Sequence, residues 1–152
     1  MGINLECKGK IFHDSYSSWN AFRRNIANLM LIYLEDTKCS SPDTLEMIEE
    51  LKKINYGQDY GFISMLNFYS LVKIVNILKK YINELKNHKM YGILLLLDKS
   101  DCEGEYSVEE CENILQSFEI LEYLCKKDKF AFYSVFNLLK ISINTKQPIK
   151  IC

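Results

Sequence analysis

Apolar residues return at three- and four-residue steps through most of this chain, and that periodicity constrains its fold more than any other feature. A helix of 3.6 residues per turn collects such positions on one face, which must then be buried against a neighbour. Trp19, Phe22, Ile26, Leu29, Met30 and Tyr33 form the first stripe, with Ser17 or Ser18 placed to cap it. A second helix opens at Ser41, with Pro42 in its first position and Asp43 and Glu46 near its positive end, and carries Leu45, Ile48 and Leu51. Residues 55–61, with two glycines and little periodicity, read as a loop. The most apolar segment runs from about 66 to 86, with Leu71, Ile74, Val75, Leu78, Ile82 and Leu85 in register, and is expected at the centre. "MYGILLLLD" reads as a short buried helix in preference to a strand.

Ser107 and Glu110 form an S-x-x-E capping box, followed by a stripe through Val108, Cys111, Ile114, Leu115, Phe118, Leu121, Leu124 and Cys125. "KKDK" ends it, and a last helix follows on Phe132, Val135, Phe136 and Leu139. The two ends of the chain differ. Ile3, Leu5 and Cys7, and later Ile149 and Ile151, alternate with polar residues, as strands do. The expected fold is mainly α: residues 1–152 form a single compact, bundle-like domain of five or six helices. A small two-stranded β element formed by the termini completes it.

Composition removes several classes of function. The net charge of −1 gives no bulk attraction to nucleic acid. The longest aliphatic run, Ile93 to Leu97, is far short of a membrane span, and "MGINLECKGK" has neither a signal-peptide core nor a myristoylation pattern. The six cysteines include no C-x-x-C pair, so a reduced, cytoplasmic chain is expected. No H-E-x-x-H, G-x-S-x-G or Walker pattern occurs.

What remains is the stretch "SDCEGEYSVEEC". Seven acids lie between Asp98 and Glu112 against one base, Lys99. With Gly104 at position 6 of a calcium loop, Asp101, Glu103 and Glu110 fall on ligand positions 3, 5 and 12, but Lys99 occupies position 1 and supplies no oxygen. A helix entrance explains more: Gly104 permits the turn, the capping box closes the helix, and the acids favour its positive end. Only two of the 19 basic residues are arginines, the adjacent Arg23 and Arg24. Arg23 lies one helical turn after Trp19, so it can reach inward to Asp101 or Glu103, or hold an anionic ligand together with Tyr16. Arg24 is expected in solvent, as is His88.

"YSSWNAFRR" together with "SDCEGEYSVEEC" resembles a group of short uncharacterised bacterial proteins. They carry a Tyr-Ser-x-aromatic-Asn-x-Phe-Arg block and a later His-Ser-Asp-Cys-Asp-Gly-Glu block. The resemblance implies that the two blocks share one site or one packing unit, and it brings no known activity. This chain has Lys99 where that pattern has histidine.

The expected function is a non-catalytic binding or interaction protein of bacterial or phage type, with an inhibitory, immunity or sequestering role. Its surface would join the acidic loop and helix start (Asp101, Glu103, Glu110) to the start of the first helix (His13, Tyr16, Trp19, Arg23). The expected partner is a protein or a small anionic ligand, with no cofactor. The alternatives are a calcium-like divalent-cation module on Asp101, Glu103 and Glu110, and a small hydrolase using Asp101, Glu103 and His13.

Overall fold

The computed structural model describes residues 2–37, 41–54, 64–99 and 103–152, with backbone alone for 64–68. The loop expected at 55–61 lies outside the described residues, as do Asp101 and Cys102.

β1 (Gly2–Cys7) buries Ile3, Leu5 and Cys7 on one face. It turns through Lys8 and Gly9, whose φ values of 50° and 80° suit a two-residue hairpin, into β2 (Lys10–Ser15). The chain then enters α1 (Tyr16–Asp36) directly. Its cap is Ser15, whose Oγ accepts from the Ser18 amide at 3.1 Å, and not Ser17 or Ser18. α2 (Pro42–Lys52) starts at Ser41 as expected, but buries Thr44, Met47, Ile48 and Leu51 and leaves Leu45 half exposed.

The apolar segment at 66–86 is two helices, α3 (Ser64–Lys80) and α4 (Ile82–Asn87), divided at Tyr81. α5 (Tyr91–Asp98) is the expected buried helix and is followed by β3 (Gly104–Tyr106). The capping box of Ser107 and Glu110 starts α6 (Val108–Leu121), with both reciprocal bonds formed at 3.0 and 3.1 Å. A 3-10 turn (Glu122–Leu124) leads to α7 (Lys129–Thr145) and then to β4 (Ile149–Ile151).

The mainly helical expectation holds, but the expected five or six helices become seven α-helices among the described residues, the segment at 66–86 being divided at Tyr81. The two-stranded element is corrected to a four-stranded antiparallel sheet of order β2-β1-β4-β3. The terminal strands do pair, Leu5 opposite Ile151 and Glu6 opposite Lys150. β2 joins through the hairpin, and β3 pairs with β4, Tyr106 opposite Ile149. Four strands expose fewer unpaired backbone groups per residue than two, and they supply a wider floor for helices. α1 and α7 pack on the inner face, where Ile3, Leu5, Phe12, Tyr106, Ile149 and Ile151 are buried. The core continues through Trp19, Phe22 and the stacked rings of Phe118 and Phe132, 4.7 Å apart. Among the described residues, no helix is long and apolar enough to cross a membrane.

Candidate functional site

A helix leaves its last carbonyls without intrahelical partners, and α5 has no basic residue in its final turn to serve them. Two side chains from elsewhere do so. Tyr106 Oη donates to Leu96 O at 3.1 Å, and Arg23 Nη1 donates to Leu97 O at 3.3 Å and to Lys99 O at 3.0 Å. Arg23 Nη2 donates to Asn20 Oδ1 at 2.6 Å, and the guanidinium lies 5.7 Å from the Trp19 ring centre. Arg23 and Asn20 are each 2% exposed, so these bonds form away from water. The positive guanidinium also sits at the negative end of the α5 dipole. Burial raises the Tyr106 hydroxyl pKa well above its ordinary value, keeping it a neutral donor.

The end of α5 is thus tied to the second turn of α1. Asn20 and Tyr106 each add one bond to this junction beside those of Arg23 to Leu97 and Lys99, and neither was among the expected site residues. The signal for Asn20 was its i, i+3 spacing to Arg23, which places the two side chains on one helix face.

Lys99 and Glu110 close the other side. Lys99 Nζ lies 3.0 Å from Glu110 Oε2, while Glu110 Oε1 accepts the Ser107 amide at 3.0 Å. Burial works to raise the Glu110 carboxyl, but Ser107 and Lys99 together outweigh it and hold the carboxyl below its ordinary range. Both oxygens of Glu110 are therefore engaged, and a cation bound through it would have to displace Lys99. Asp98 pairs with Lys79 at 3.3 Å. Glu103, Glu105, Glu109 and Glu112 are exposed, and no ion pair among the described residues reaches them. Gly104, at φ 122°, makes the bend that starts this rim.

The remaining expected site residues divide. Trp19 is fully buried in the core, and its Nε1 has no hydrogen-bond partner among the described residues. Tyr16 is half-buried against the same core. His13 is exposed on β2 and bonds Asn4 Oδ1 through Nδ1 at 2.6 Å. The strand order puts β2 and β3 on opposite edges of the sheet, about 14 Å apart at the usual strand spacing, so His13 does not join Glu103. Arg24, expected in solvent, is buried.

His88 is half-buried, with Nε2 3.1 Å from Thr44 Oγ1. Thr44 and Ser41 donate to Glu84 Oε2 at 2.7 and 3.0 Å. Those two bonds lower the Glu84 pKa, and its carboxylate lies beside the N-terminus of α2.

Comparison with family models, with curated proteins and with solved structures finds no match to this chain.

Proposed function

We propose that this chain is a non-catalytic binding protein of bacterial or phage type. It would act in the cytoplasm by covering a basic surface on a partner protein, in an inhibitory, immunity or sequestering role. The observation that supports this reading is the rim of Glu103, Glu105, Glu109 and Glu112, exposed and outside any ion pair among the described residues. It stands on a frame fixed by the Arg23 and Tyr106 bonds and the capping box. Exposed carboxylates of one sign steer a cationic partner during association. A protein fits better than a small anion, because Arg23, the natural anion ligand, donates to two backbone carbonyls and to Asn20.

The test is capture from a host lysate by wild type and by Glu103→Lys/Glu105→Lys, at low and high salt. Capture that is salt-sensitive and lost in the variant at an unchanged melting temperature is the expected result. Equal capture by both chains would overturn the reading. A rise in melting temperature at millimolar calcium, abolished by the same variant, would favour the cation module instead.

A further inference from the structure

We propose that the outer edge of β2 is a self-association surface, on which a second copy of this chain pairs antiparallel through its own β2, with Phe12 on the two-fold axis. The surface lies at the opposite edge of the sheet from the acidic rim and does not depend on it.

The backbone decides which groups are available. Asn4 exchanges both hydrogen bonds with Cys152, at 2.8 and 2.9 Å, so its polar groups face β4. By alternation, Ile3, Leu5 and Cys7 face β2 and meet Asp14, Phe12 and Lys10. The N–H and C=O groups of Ile11 and His13 therefore point away from the sheet. Ser15 points the same way, but its N–H already donates to Asp14 Oδ1 at 2.9 Å, which ends the available ladder there. The register that uses Ile11 and His13 of both copies pairs Ile11 with the partner's His13. It follows that Phe12 lies opposite the partner's Phe12, and Lys10 opposite the partner's Asp14.

Charge selects the same arrangement. The turn end of the strand carries Lys8 and Lys10, and the other end carries Asp14 with Asp128 close by. No carboxylate among the described residues pairs with Lys10. Burial raises the Asp14 pKa, and the Asp128 charge adds to that, so a cation beside it is favourable. Antiparallel pairing brings opposite charges together at both ends, whereas parallel pairing would bring like charges together.

Two of the exposed large apolar side chains also lie at this edge. Ile11 is 63% exposed and Phe130 is 80% exposed, with the Phe130 ring 6.2 Å from that of Phe12. In the pair, Phe12 and Phe130 of both copies meet at the axis. β2 is a six-residue edge strand with no outer neighbour among the described residues, and beside exposed apolar side chains it invites such pairing, while the three-residue β3 edge, with exposed Glu105, does not.

Sedimentation velocity over a concentration range tests this on the whole chain. The wild type should shift from monomer to dimer mass. Lys10→Asp should weaken association about tenfold or more, because like charges then meet at both ends. Lys10→Asp/Asp14→Lys should restore it. Phe130→Glu, at an exposed position, should dissociate the dimer while melting like wild type at a concentration where both are monomers, and it decides the matter if the double variant folds poorly. A wild type that stays monomeric to about 1 mM, or association unchanged in both Lys10→Asp and Phe130→Glu, would overturn the proposal.

Discussion

Replacing Arg23 with lysine keeps the positive charge and removes the planar fork. The fork matters because Arg23 reaches Leu97 O, Lys99 O and Asn20 Oδ1 at once from a buried position. A single ammonium cannot span all three, so buried acceptors lose partners at a cost of about 1–3 kcal/mol each where no water replaces the donor. Arg23→Lys should therefore destabilise the chain by about 2 kcal/mol and Arg23→Ala by about 3 kcal/mol or more. Urea unfolding checks both values. A lysine variant as stable as wild type would mean that charge alone serves the end of α5. Gly92 is the other residue whose identity is fixed by its neighbour. A Cβ there would run into the Asn113 carbonyl of α6, which is backbone and cannot step aside. Gly92→Ala should cost about 2–3 kcal/mol in the same measurement, against the small gain that alanine brings to an unobstructed helix.

At the scale of the elements, helix ends carry most of the specific chemistry. Glu110 at the start of α6 and Glu84 beside the start of α2 are both held below the ordinary carboxyl value of 4.5. A carboxyl lowered on folding contributes stability that is present above its unfolded pKa and is lost as pH falls through the folded one. Their contribution should be complete at neutral pH and decline below about pH 4.5. Asp14, raised above its ordinary 3.8, acts in the opposite sense: it favours the folded state at low pH and loses that effect as pH rises through its folded value. Glu84→Gln/Glu110→Gln should therefore melt lower than wild type at pH 7, with the gap closing towards pH 3. A constant gap would show that the carboxylate charge is not what stabilises these helix starts.

The same local chemistry explains what the sequence disclosed. Ser41 with Pro42, and Ser107 with Glu110, are complete signals within a few residues, and both helices begin there. β2 gave no such signal: its turn is Lys-Gly, and adjacent Ile11 and Phe12 break the clean apolar alternation. Nothing at Tyr81 announces the break between α3 and α4, since neither glycine nor proline stands there. The inward reach of Arg23 was legible from its spacing to Trp19. Its carbonyl acceptors were not, because they exist only where α5 ends against α1.

Across the whole molecule, the sheet sets the two surfaces apart. The acidic rim follows β3 at one edge, and β2 forms the other. A dimer formed through β2 would leave both rims exposed at the far ends of a continuous sheet, so a partner with two basic sites would gain avidity without a new contact. The frame beneath each rim is tied from three directions, by Arg23 of α1, by Tyr106 of β3 and by the Lys99–Glu110 pair. Such bonds hold the end of α5 and the start of α6 in place before a partner arrives. Hydrogen–deuterium exchange of the chain, alone and with its purified captured partner, tests the role of the rim most directly. Slowed exchange across residues 103–112 is expected, with residues 2–15 unchanged. Protection elsewhere, with residues 103–112 exchanging as in the chain alone, would contradict it.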